Sequence, residues 1–334
     1  MRSLKIKHLT KIIQEELKMA DLTFLTKEKL ETGFGEDIVN PTSYEDILAQ
    51  TGLNWTVDTH DTYVDLNGEK VLIPNTKTVV REEDGKALGI VTDKYKLVQN
   101  TEAFEFTKHL YNDKSVEFVK GGSFKGGRST WLEGRVAEEY SVFGDKLECY
   151  IVFKNSHDGT GSVTALVVPR RVACSNFFNM PLSAVSRVWR CKHSGDPNGK
   201  IAEAQEVLLA GSKYMEALQR EAEVLNGIKL SPLQVKEFIE RLFPLPVVKV
   251  GEKEASEKVI ENIKIRRTQL MSVYLEKDDL ANFDNNAYRF LSAVTDWVDH
   301  ADSKNTINGN INRYMKVIHG HPLVDRAYDM VLKV

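Results

Sequence analysis

Cysteine is scarce in this chain. Its 334 residues hold three, Cys149, Cys174 and Cys191, with no C-x-x-C spacing. An odd number cannot pair off completely, which excludes a disulfide framework as the basis of the fold, and a chain of this length buries a sufficient core without one. Long apolar runs are also missing: none approaches the roughly 20 residues of a membrane span. The first thirty residues lack the cationic-then-apolar pattern of an export signal, so the expectation is a soluble cytoplasmic protein. Nor is there a surplus of one charge. Forty-five basic side chains face 48 acidic ones, for a net charge of -3, which excludes a uniformly basic coat for nucleic acid. No Gly-Lys-Ser/Thr is present to make a Walker A loop, no internal repeat or low-complexity tract occurs, and nothing implies a cofactor.

What is there is unevenly placed. Between Cys149 and Lys200 stand Lys154, Arg170, Arg171, Arg187, Arg190, Lys192 and Lys200 against Asp158 and Asp196, a local charge of +5 that leaves -8 for the rest of the chain. Periodicity changes along the sequence as well. Ile6, Leu9, Ile12, Ile13 and Leu17 predict an amphipathic helix within residues 1–19, followed by an irregular arm over 21–44. From Leu53 to Val172 the pattern is short β-rich runs, with Asn67-Gly68 and Asp84-Gly85 read as two-residue hairpin turns. Leu147, Cys149, Ile151 and Phe153 alternate with a mixed face, which predicts an antiparallel sheet covered on one side. One helix interrupts the strands over 100–111, with Asn100 as N-cap. After Lys200 the apolar spacing is helical almost throughout. Strands first and helices second predict an α+β fold, an antiparallel β-sheet with a packed helix followed by a mainly helical C-terminal domain. The expected divisions are 1–50 (N-terminal helix and arm), 51–200 (α+β core with the basic loop region) and 201–334 (helical domain).

Five constellations can carry chemistry. The stretch from Pro169 to Lys200 mixes Arg170, Arg171, Arg190 and Lys192 with Phe177 and Trp189. Single-strand binding needs that mixture, because cations neutralise phosphates while aromatic rings stack on any base; a solvated basic loop with core aromatics is the plainer reading. Gly121-Gly122-Ser123-Phe124-Lys125-Gly126-Gly127-Arg128 lets backbone approach a phosphate as an anion nest, or simply turns a hairpin. In Asn155-Ser156-His157-Asp158-Gly159, His157 and Asp158 can move a proton or hold a metal, and the same letters spell a tight turn. Cys174, Cys191 and His193 lack the short paired arms of a common zinc site. Cys174 beside arginines is an alternative nucleophile, against the plainer reading of a buried cysteine. Asp299-His300 closes a helix.

Several segments together resemble a family of phage- and plasmid-encoded proteins known as domain of unknown function 932. They are Gly52-Leu53-Asn54-Trp55, Leu88 to Asn100, Gly126-Gly127-Arg128 with Trp131, Asn155 to Gly159, Arg171 to Asn176, and His193, with Asn286-Ala287 and Asp299-His300 further on. Phe177 stands where the family pattern usually has Thr. The resemblance implies a mobile-element setting inside a bacterial cell. A more remote likeness is to phage single-strand annealing proteins of the RecT and Redβ type, which set a sheet and a helix around a basic groove and assemble into rings or filaments on DNA. The leading expectation is therefore a single-stranded DNA-binding and annealing protein of phage or plasmid recombination, acting as a homo-oligomer without bond chemistry. Lys125, Arg128, Arg170, Arg171, Asn176, Phe177, Trp189, Arg190 and Lys192 would form its nucleic-acid contacts. Two alternatives stand beside it: an enzyme acting on nucleotides or nucleic acid through His157, Asp158 and Cys174, and a phage protein that binds a host defence or replication component through its acidic helical half.

Overall fold

A computed structural model describes residues 35–172, 177–182, 186–194, 206–247, 256–300 and 307–334. The helix expected over 1–19 and most of the following arm lie outside the described residues, as do Cys174, Asn176 and Lys200.

In chain order the elements are β1 (Glu36–Asp37), α1 (Tyr44–Gln50), β2 (Val57–Leu66), β3 (Glu69–Arg81), β4 (Lys86–Thr92), α2 (Asn100–Ala103), α3 (Glu105–Asn112), β5 (Val116–Phe124), β6 (Ser129–Val142), β7 (Asp145–Ser156), β8 (Val163–Arg171) and β9 (Val188–Cys191). Helices follow: α4 (Glu206–Gly227), α5 (Pro232–Leu242), α6 (Glu257–Glu276), α7 (Asp278–Ala281), α8 (Ala287–His300), α9 (Ile307–His319) and α10 (Pro322–Val331). The strands form two antiparallel sheets, one of six strands in the order β1-β5-β6-β7-β8-β9 and one of three in the order β2-β3-β4. The fold is α+β, with its helices concentrated toward the C-terminus.

The large sheet is covered on both faces, not on one. Residues paired in register share a face, so Trp131, Lys154, Thr164 and Arg190 line one side, while Leu132, Phe153, Ala165 and Trp189 line the other. Tyr314 of α9 packs on Trp131 with ring centroids 5.6 Å apart. On the opposite face Gly211 of α4 lies over Val167 and Cys149. Double cover explains why β8 is buried along nearly its whole length. The sheet and the C-terminal helices accordingly share one continuous apolar core. A smaller core of Trp55, Val57, Val79, Leu88 and Val91 belongs to the three-stranded sheet.

Local chemistry decides the remaining differences from expectation. Asn67 and Gly68 both take positive φ, as a two-residue turn requires. At the second turn only Gly85 does; Asp84 accepts from the Arg81 guanidinium at 2.5 and 2.9 Å and leaves a four-residue connection between β3 and β4. Pro74 does not divide β3, because it sits where the β2–β3 register slips beyond Asp61. Past the last β3–β4 pair, Thr76 with Thr92, the hairpin continues as a two-stranded ribbon bearing exposed Tyr63, Val64, Leu66, Val71 and Leu72. Asn100 is the first helical residue and not the cap. Gln99 is the cap, with its N–H bonded to Glu102, and its side chain clamps both backbone groups of Val57.

The small sheet reaches the large one through Gly89 of β4. A Cβ there would stand 2.5 Å from the Asp158 Cα. Because backbone would have to yield, Gly89→Ala is expected to cost roughly 1–3 kcal/mol of stability. Urea unfolding measures this, and an unchanged midpoint would count against the close approach.

Candidate functional site

The two arginines that head the expected DNA surface are turned inward. Arg171 is fully buried, donates from Nε to Asp145 at 2.5 Å and from Nη1 to Asp279 of α7 at 3.0 Å, and Tyr288 of α8 also donates to Asp145. Arg170 pairs with buried Glu133 at 2.9 Å and stacks over Tyr150 and Phe177 at 4.2 and 4.7 Å. Tyr314 donates to the other oxygen of Glu133 at 2.6 Å, and burial with that carboxylate beside it pushes its phenol well above the usual range. Phe177 is buried edge-on to Tyr314. Both guanidiniums are already neutralised by carboxylates from the sheet and the helical part, so Arg170, Arg171 and Phe177 leave the interface. Trp189 leaves it too, since strand alternation directs it away from Arg190, and it packs, partly buried, against the core.

A different set of cations stays on the surface. Lys125, Arg128, Arg190 and Lys192 are exposed. Lys125 opens the tight turn Lys125–Gly127, where it and both glycines take positive φ. Gly121 and Gly122 lie inside β5, so the glycine-rich stretch is a strand and a turn, not one continuous nest. In register with Arg190 across Thr164 of β8, Lys154 is half-buried and its ammonium lies 3.3 Å from Nε2 of His319 at the end of α9. Burial, with Lys125 and Arg190 nearby, lowers the Lys154 pKa to about 8. Burial together with Lys154, Arg187 and Arg190 lowers that of His319 to about 4. The imidazole is therefore neutral at pH 7 and accepts from the ammonium. Arg187 fixes this end of α9 by donating to the carbonyls of Ile318 at 2.6 Å and Val167 at 3.3 Å.

None of Lys125, Lys154, Arg187, Arg190 and Lys192 forms an ion pair among the described residues. Among the described residues, Asp158 interacts with Lys125 and Asp325 with Arg187. In a chain with more acids than bases, Lys125, Lys154 and Arg190 standing near one another without an ion pair among the described residues make the local field positive. Sequence reasoning counted Lys154 in the charge balance without placing it here. His319 gave no signal, because its distance from Lys154 along the chain is 165 residues.

A second cluster surrounds His157. Its Nε2 lies 2.9 Å from Asn100 Oδ1, which also accepts from Thr130 Oγ1 at 3.0 Å. With the Asn100 amide oriented so that Oδ1 faces the ring, this shorter contact assigns the proton to Nε2, against the Asn155 amide at 3.4 Å from the same nitrogen. Asn155 donates to the Val98 carbonyl, and the His157 N–H donates to that of Arg128 at 2.8 Å. The Trp55 ring lies 5.1 Å from the imidazole, while Tyr95 donates to the Ser156 carbonyl and stacks on His193 at 4.8 Å. Trp55, Tyr95, Asn100, Arg128, Asn155, His157 and His193, drawn from the segments that carry the family resemblance, thus meet in one place.

That meeting does not form an acid–base pair. His157 is wholly buried, and burial, aided by His193, lowers its pKa to about 4. Asp158 turns into its own loop, accepting from Ser156 Oγ and from the Thr160 N–H and hydroxyl. Burial raises its pKa, but those bonds outweigh it and the net direction is down. The residues suggested as proton carriers are here the hydrogen-bonded turn. Among the described residues no three metal-ligating side chains gather, and Cys191 points its thiol at the Lys192 carbonyl.

A sequence profile of a family described as a domain of unknown function (DUF932) matches residues 87–318. Comparison with curated proteins and with solved structures yields no match. The matched span contains the cationic face and every residue of the His157 cluster except Trp55.

Proposed function

Because the chain belongs to the DUF932 family, which carries no assigned activity, we propose its function from the cationic face: it binds single-stranded DNA through the phosphate backbone, without bond chemistry. The observation that carries this reading is the group of Lys125, Lys154, Arg190 and Lys192, none of which has a carboxylate partner among the described residues, while Arg170 and Arg171 are buried in ion pairs. With Phe177 buried and Trp189 packed against the core from the opposite sheet face, no aromatic platform among the nine expected contact residues stands beside Arg190. Recognition is then electrostatic and independent of base sequence. Several copies aligned along one strand would present it for pairing, in keeping with recombination of a phage or plasmid genome in a bacterial cytoplasm.

The test is the salt dependence of affinity for a labelled single-stranded oligonucleotide. Changing Lys125, Arg128, Arg190 and Lys192 together to Gln removes four exposed charges. This should flatten the slope of log affinity against log salt by about 3, at roughly 0.7 per phosphate contact. Light scattering on the same mixtures should show copies accumulating on the strand. An unchanged slope, or an inert monomer, would remove the reading. Strand binding should also withstand chelation and His157→Ala, whereas an enzyme working through His157 should not.

A further inference from the structure

We propose that Lys154, Arg190 and Lys125 form a subsite for a phosphomonoester, the phosphate-bearing end of a nucleic-acid strand, set deeper than the contacts to phosphates within the chain. This inference rests on the reading of the face as a phosphate surface and concerns which phosphate enters the recess.

The argument begins with depth. Thr164 pairs with Lys154 on one side and with Arg190 on the other, so the three share one sheet face at neighbouring positions. Arg190 and Lys125 are exposed, while Lys154, which feels the charge of both, is half-buried. A strand passing over the face brings its diesters to the outer cations. Only a terminal group is free to enter and reach the ammonium behind them. The second consideration is charge. A diester carries one negative charge, whereas a monoester carries about -1.5 to -2 at pH 7 and three acceptor oxygens. Mutual repulsion among Lys125, Lys154 and Arg190 in a half-desolvated recess is relieved more by the second than by the first.

The third consideration is preorganisation. The neutral His319 ring occupies one of the three ammonium donors of Lys154, which directs the other two. Arg187 holds that end of α9 through two carbonyls and is itself committed to them. The positive charge of Lys154 is maintained at neutral pH but only narrowly, and a bound dianion would raise its pKa; the anion is therefore expected to bind with net proton uptake near pH 8.

The experiment compares one oligonucleotide carrying a phosphate at its 5′ end, at its 3′ end, or at neither, with a 5′-mononucleotide as competitor, all at fixed salt. The expected result is at least a tenfold preference for one phosphorylated end over the hydroxyl strand. That preference should be lost in Lys154→Gln and reduced in Arg190→Gln, whose side chain is exposed and forms no ion pair among the described residues. Equal binding of all three strands with a steep salt slope overturns the subsite and leaves strand binding standing. No binding of any strand overturns both. A mononucleotide that competes at the same concentration as the phosphorylated strand assigns the recess to free nucleotides and overturns the strand-end proposal. A preference that survives both substitutions moves the recess elsewhere.

Discussion

Replacing Arg171 with Met is expected to lower the free energy of unfolding by about 3–5 kcal/mol, the usual cost of removing one partner from a buried ion pair. The side chain is wholly buried, its partners Asp145 and Asp279 are 3% and 15% exposed, and Tyr288 adds an O–H to Asp145. Methionine fills much of the same volume, so the loss reflects two carboxylates left in a poorly solvated place more than a cavity. Arg170→Met should cost less, because Tyr314 still donates to Glu133 after the guanidinium is gone. Changing Asp145 and Asp279 to Asn in the Arg171→Met background should recover part of the loss by removing the stranded charges. Urea unfolding followed by circular dichroism measures all three. A loss below 1 kcal/mol for Arg171→Met would show that the network does not join the sheet to the helices as described. The same experiment separates two roles for the arginine pair, since a phosphate-contacting surface arginine would have almost no effect on stability.

The misplacement of this pair shows where sequence reading stops. Alternating apolar residues in β7 and helical spacing from Glu206 onward made the α+β order legible, because both depend on nearest neighbours along the chain. The fate of Arg170 and Arg171 depends on Glu133, Asp145 and Asp279, which lie 26 to 108 residues away. A run of bases therefore reads the same whether it faces water or a buried acid. Strand parity was legible in principle: Arg190 and Trp189 are adjacent, and adjacent strand residues face opposite ways, but β9 lay inside a stretch read as loop. Sequence alone makes Asn100 a helix cap, because asparagine favours that position. Its side chain instead joins His157 and Thr130 across 57 and 30 residues. The segments behind the family resemblance hold the residues that gather around His157, but nothing in their order along the chain shows that they converge.

Convergence on His157 has a measurable consequence in acid. In the folded protein its pKa lies at about 4, against an ordinary value of 6.5, because burial opposes the charged form and His193 stands nearby. The unfolded chain therefore takes up a proton between these values that the folded chain refuses. Stability from this group is complete above pH 6.5, falls as pH drops through the window, and stops falling near pH 4. The depth of that fall is about 3 kcal/mol at 1.36 kcal/mol per pKa unit. His193, whose pKa is lowered mainly by burial, adds to the effect with the same sign. His300 opposes it. Burial disfavours its charged form, but the bond and charge of Asp296 outweigh burial and raise its pKa, so its contribution is present in acid and lost as pH rises. In His157→Gln the amide can still donate toward Asn100 but cannot titrate. The variant should therefore show a shallower rise of unfolding free energy between pH 4 and 6.5, whatever its absolute stability. If wild type and variant rise in parallel, the imidazole is not held neutral by burial, and the closed cluster around it is drawn too tightly.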